Sequence, residues 1–182
     1  MVTKSIKPQA QEVMDEILVT SLQEVAETIQ IDALQQASAN YIQPVRATGI
    51  EALLQRHDFV EYFKFGLAER IANTLAAHDS CVQAVYYFDP HLNPDAETEA
   101  YPLMDPTVNV LVQVEARSAA LRSFIDALDK ALTEQVRNLP TSLFESLDTI
   151  LNGIVFTEED VELKRGYAAL LSSFYLKPRR IL

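Results

Sequence analysis

Only one cysteine, Cys81, occurs in the 182 residues. An intramolecular disulfide is therefore excluded, as is a thiolate cluster holding zinc or iron and sulfur, and a reducing compartment fits best. Cys81 opens an apolar run, where a free cysteine acts as a small hydrophobe. The four glycines, at positions 49, 66, 153 and 166, stand too far apart to build a phosphate-cradling loop or a dinucleotide-binding turn. His57, His78 and His91 are scattered, with no second histidine or cysteine at metal-ligand spacing, and no serine sits in a GxSxG elbow. Tryptophan is absent and the other aromatics fall at helical spacing, which removes a stacking platform for bases. With 26 acidic against 15 basic residues, the net charge of −11 disfavours a protein that tracks a phosphate backbone. No apolar run reaches membrane-spanning length, and the N-terminus MVTKSIKPQAQEVMDEIL lacks the apolar core of a secretory signal. The expectation is a soluble, cytoplasmic chain with no cofactor and no membrane or nucleic-acid partner.

What is present is mostly helical pattern. From Gln9 to Gln30, Val13, Ile17, Leu18, Leu22, Val25 and Ile29 recur at spacings of three and four, which predicts an amphipathic helix beginning after Pro8. The rhythm continues through Ile31, Leu34, Tyr41 and Val45 to a break at Pro44 or Gly49. The alanine- and glutamine-rich content of this stretch predicts a peripheral position or contact with a partner chain. Residues 9–45 together read as a helical arm suited to self-association. The Val13-to-Ile29 stripe is its contact surface, because an exposed apolar stripe of that length is unusual on a monomer. After a short helix near residues 50–55, Asp58 is the expected N-cap of a helix over Phe59–Ala77. Gly66 in its middle marks a close helix crossing or sheet contact.

Residues 81–116 break the helical rhythm. Val108, Val110, Val112 and Val114 fall on one face of a period-2 pattern, with Asn109, Leu111, Gln113 and Glu115 on the other, which predicts a half-buried strand. A preceding strand, VQAVYYFDP, is joined to it by a long acidic loop carrying Asp89, His91, Asp95, Glu97, Glu99 and Asp105. Prolines at 90, 94, 102 and 106 stiffen this loop and no glycine supplies the sharp turn of a calcium loop, so it reads as solvated rather than as a cation site. Further helices are predicted over Arg117–Leu139, from Thr141 to Gly153, and from Thr157 to about Tyr175. Ser118 is the start signal of the first, and Thr157 with a carboxylate three residues on is a capping-box signature for the last. Ile154, Val155 and Phe156 form a candidate third strand. Lys164, Arg165, Lys177, Arg179 and Arg180 gather near the C-terminus, and the KPRRIL tail reads as exposed or as an edge strand.

The order of helix, strand VQAVYYFDP, long loop, strand TVNVLVQVE and amphipathic helix resembles the core of the minimal nucleotidyltransferases over about half the chain, and ILNGIVF is similar to a later segment of that family. The resemblance implies Gly-Ser after the first strand and an Asp-x-Asp on the second, binding magnesium and nucleotide phosphates. Here Phe88 is followed by Asp89 and Pro90, and the carboxylate pair falls on Thr107 and Asn109. A relation would be to a non-catalytic derivative, since two-metal chemistry has no ligands.

Together these patterns predict one α+β domain over residues 1–182, mostly helical, with a small antiparallel sheet of two or three strands built around a long-looped hairpin. Helices 59–77 and 117–139 cover one face of the sheet. The leading function is a non-catalytic interaction or regulatory protein, homodimeric and with a protein partner. The alternative is a ligand-binding or degenerate nucleotidyltransferase-like domain, its site drawn from Tyr86, Tyr87, Asp89, His91, Asp105, Asn109 and Glu115. A third reading has the basic tail docking an acidic partner.

Overall fold

The computed structural model describes residues 7–41, 49–89, 105–173 and 177–182, with side chains from Val19 onward. Helix α1 runs unbroken over Lys7–Asn40, α2 over Ile50–Leu53 and α3 over His57–His78. Strands β1 (Val82–Phe88) and β2 (Val108–Val114) follow, then α4 (Ala119–Arg137), β3 (Leu151–Thr157), α5 (Glu158–Glu162), a 3₁₀ segment over Gly166–Ser172 and β4 (Arg179–Arg180).

The sheet has four strands in the order β3-β2-β1-β4 and is mixed. β1 pairs antiparallel with β2 and with β4, whereas β3 runs parallel to β2 from Val108↔Leu151 to Val114↔Thr157. The expected small antiparallel sheet is thus corrected to a mixed one. α4 carries the chain back from the end of β2 to the level of its start, so the next strand must enter parallel.

Alternation along the strands decides the layers. Val85, Tyr87, Val108, Val110, Val112 and Val114 join one apolar core with residues of α1, α3 and α4. Leu111 and Phe156 point the other way and are covered by Ala168, Val161 and Leu171 of the C-terminal segments. Behind α3 and α4 lies α1, whose alanine-rich half is interior rather than peripheral. Ala26, Ala33 and Ala37 are fully buried, and a Cβ on Gly66 would stand 3.2 Å from the Ala33 backbone. Low bulk here is what lets two helices approach closely. Leu22, Val25 and Ile29, the second half of the predicted stripe, pack into this same core.

Three local expectations are corrected. Residues 141–150 form turns, and the predicted helix from Thr141 gives way to β3 because Asp129 captures the start of the strand. Its Oδ1 accepts the Ile150 and Leu151 N–H at 3.0 and 2.8 Å, and Thr149 Oγ1 donates to its Oδ2 at 2.8 Å. Gly153 is a strand residue against α4, where a Cβ would meet Ile125 Cγ2 at 2.7 Å, and not a helix stop. The last helix is likewise interrupted. Positive φ at Lys164 (51°) and Gly166 (50°) turns the chain out of α5 and into the 3₁₀ segment. Asp58 lies inside the first turn of α3, with Arg56 at the N-cap position.

Ser118 does cap α4, accepting from the Leu121 N–H at 3.2 Å. Thr157 and Asp160 do form the capping box at α5. Cys81 sits in the turn before β1, partly buried, its N–H donating to Asp79 Oδ1 at 2.9 Å.

Candidate functional site

The most concentrated chemistry lies where β1 ends against α3. Alternation carries Val85, Tyr87 and Asp89 to the helix side of the sheet, and on α3 Glu61 and Lys64 stand one turn apart facing them. Lys64, 2 % exposed, donates from Nζ to Asp89 Oδ2 at 3.0 Å and to Glu61 Oε1 at 3.2 Å. Asp89 is 7 % exposed and also accepts from the Tyr87 hydroxyl at 3.4 Å. Phe65 stands edge-on to the Tyr87 ring at 5.7 Å, and the Arg179 guanidinium of β4 lies 4.4 Å over Phe65.

Burial pushes the Glu61 carboxyl above its ordinary range, with Asp89 beside it acting in the same direction against the pull of Lys64. The Tyr87 hydroxyl is held far above its usual value by burial, and then by the charges of Glu61 and Asp89. Its phenol therefore stays protonated and donates. One ammonium and two carboxylates turned on one another satisfy a buried charge and pin β1 to α3.

The residues singled out in the sequence do not share one site. Tyr87 and Asp89 meet in this cluster, and Asp105 adds its charge to the field on Tyr87 while accepting from the Thr107 N–H at 2.9 Å. Tyr86 and Asn109 are on the opposite face of the sheet. There the Tyr86 hydroxyl donates to Gln113 Oε1 at 3.2 Å and Asn109 Oδ1 accepts from Asn152 Nδ2 at 2.9 Å. Glu115 is exposed at the far end of β2, where its N–H donates to the Cys81 carbonyl at 3.0 Å. His91 and the loop carboxylates Asp95, Glu97 and Glu99 lie outside the described residues, as do the side chains of Val13, Ile17 and Leu18.

Glu61 and Lys64 escaped the sequence reading. Their signal was there, because Lys64 stands on the apolar stripe of α3 at helical spacing between Val60 and Leu67, and a charge at such a position must find a buried partner.

Among the described residues, grooves open elsewhere. One of about 420 Å³ lies between α1 and α3 and is lined by Glu24, Val25, Thr28, Asp32, Arg70 and Asn73. Another of about 280 Å³ lies between the sheet and its C-terminal cover, with Tyr86, Gln113, Glu158 and Lys177 on its walls. Neither groove opens onto the Lys64 cluster. Among the described residues no three His, Cys, Asp or Glu side chains gather as a metal set, and no helix is long and apolar enough to cross a membrane. No protein-family model matches the chain, and neither a curated protein nor a solved structure matches it.

Proposed function

We propose that this is a non-catalytic cytoplasmic interaction or regulatory protein that self-associates through the first part of α1. The observation that carries the reading is a mismatch of helix lengths. α1 runs antiparallel to α3. Tyr41 donates to Asp58 at one end of the pair, and further along Arg70 Nε lies 3.6 Å from Asp32. At one residue per residue, His78 at the end of α3 falls opposite about residue 23 of α1. Phe124 stacks on His78 at 3.6 Å, and α4 begins at Ala119, only about 7 Å further along.

The first dozen or so residues of α1, roughly 18 Å of helix, thus run past both neighbours. Val19, at the root of this arm, is 55 % exposed. Leu22, Val25 and Ile29 pack on the chain's own core, and Val13, Ile17 and Leu18 are the residues assigned here to a second copy. The lone cysteine supports a reducing location.

The Lys64 cluster is in keeping with this reading, since its charges are paired with each other as a structural tie between α3 and β1. The ligand-binding alternative draws less support, because the residues named for it are divided between two faces of the sheet. Light scattering over a concentration series tests the proposal. The intact chain is expected as a dimer and the Ile17→Glu, Leu18→Glu variant as a folded monomer. An intact chain that stays monomeric throughout refutes it.

A further inference from the structure

The free edge of β3 has a polarity that the fold leaves open. The Val108 N–H donates to the Ile150 carbonyl at 2.7 Å, which sets the phase of the parallel ladder. Asn152, Ile154 and Phe156 turn their backbone groups toward β2, and Leu151, Gly153, Val155 and Thr157 turn theirs outward. Side chains close both ends of that outward row. Asp129 takes the Leu151 N–H at 2.8 Å, Thr149 Oγ1 shares the proton it gives Asp129 with the Leu151 carbonyl at 3.3 Å, and Asp160 takes the Thr157 N–H at 2.8 Å. Between them, the N–H and C=O groups of Gly153 and Val155 meet no partner among the described residues.

Nothing in LNGIVFT blunts this edge, which has no charge and no proline. At the opposite edge the chain does the closing itself. Arg179–Arg180 pair with β1, and the Ile181 and Leu182 N–H groups donate to the Val85 carbonyl at 2.9 and 3.2 Å. A short basic-then-apolar segment in extended form completes that side of the sheet.

We infer that the β3 edge is a docking site for an extended, basic segment of a partner protein, added antiparallel as a fifth strand. Charge chooses the occupant. Asp148 is exposed just before the strand and Glu158 just after it, and the chain as a whole carries −11. A second copy fits poorly. It brings the same net charge, and α4 sits so close over β3 that Ile125 fills the space above Gly153. Two β3 strands about 4.8 Å apart would force the two α4 helices nearer than the 8–10 Å that packed helices need. The added strand exchanges hydrogen bonds with Gly153 and Val155, sets an apolar side chain beside Ile154, and directs its basic residues to Asp148 and Glu158. This site is separate from the α1 arm and stands or falls independently of it.

The test uses the intact chain and a fluorescein-labelled nonapeptide with arginines at both ends and valines between, beside a control with glutamate for arginine. Anisotropy reads binding, and amide hydrogen exchange reads its place. The basic peptide is expected to bind and to slow exchange at Gly153 and Val155. Val155→Pro deletes one outward N–H while leaving every bond to β2, and should weaken binding about tenfold, with its fold checked by circular dichroism. Asp148→Lys, a surface change, should weaken binding without touching the backbone. Absent binding, equal binding of the glutamate peptide, binding undiminished in both variants, or protection elsewhere than residues 153 and 155 overturns the inference. So does concentration-dependent protection of those amides in the peptide-free chain, which would assign the edge to a second copy.

Discussion

Replacing Lys64 by methionine should be among the most damaging single changes available in this chain. The substitution conserves length and apolar stem but removes the ammonium that Asp89 and Glu61 share at 3.0 and 3.2 Å. Asp89 is left with its side chain 2 % exposed, and the neutral Tyr87 hydroxyl at 3.4 Å cannot replace the lost ammonium. Uncovering a buried charge by removing its partner costs about 3–5 kcal/mol. A domain is stabilised by only about 5–15 kcal/mol in all, so a large fraction of the stability is lost. At about 2–4 °C per kcal/mol for a chain of this size, the melting temperature should drop by roughly 10 °C. Adding Asp89→Asn should restore much of the loss, because two neutral groups replace a broken pair. Urea unfolding of the two single variants and the double variant, with unchanged slopes, supplies the cycle. A Lys64→Met variant within about 0.5 kcal/mol of the parent would refute the claim that this pair is buried and mutually dependent.

Other sites give sharper local tests. Gly153→Ala should destabilise by about 1–3 kcal/mol, since the new methyl meets the stiff Cγ2 of Ile125, and Ile125→Ala should relieve that penalty in a double-mutant cycle. Gly66→Leu should separate α1 from α3 and lower the urea midpoint, outweighing the gain of about 1 kcal/mol in helix propensity. Glu61 is raised above its unfolded value, chiefly by burial, so its contribution is most favourable at low pH and fades as pH rises through its native value. Glu61→Gln should therefore gain stability relative to the parent as pH rises from the ordinary carboxyl range through the native value of Glu61, read in urea titrations. Asp160 is depressed, first by the Thr157 N–H and also by Arg117, and its contribution is present above the ordinary carboxyl value of 3.8 and lost as pH falls through its native value. The melting difference between the parent and Asp160→Ala should accordingly be constant near neutrality and vanish in acid.

Where a residue's neighbours in sequence are also its neighbours in space, its role was legible. The valine alternation of β2, the Ser118 cap and the Thr157–Asp160 box all follow from local spacing. Gly66 was legible as a close crossing because a glycine in mid-helix is costly without one, although not that Ala33 would be the group across from it. The direction of β3 was not legible. Leu147, Ile150 and Leu151 suit a helix by spacing, and the deciding contacts come from Asp129 and Thr133, some twenty residues earlier. The Lys64 cluster shows the same limit, with Asp89 visible as a loop carboxylate and its partner 25 positions away on a helix. Self-association raised the converse difficulty. Periodicity reports that Leu22, Val25 and Ile29 form one stripe with Val13, Ile17 and Leu18, but not that Leu22, Val25 and Ile29 pack into the chain's own core.

The central claim is that the arm of α1 pairs with the arm of a second copy. It is tested most directly by a spin label placed on the arm, with Gln11→Cys in a Cys81→Ser background, and double electron–electron resonance on the full chain. The account predicts a resolved distance between arms of two copies, one that disappears when labelled chain is diluted into excess unlabelled chain and is lost in the Ile17→Glu, Leu18→Glu background. A fully concentrated sample with no intermolecular dipolar signal would contradict it.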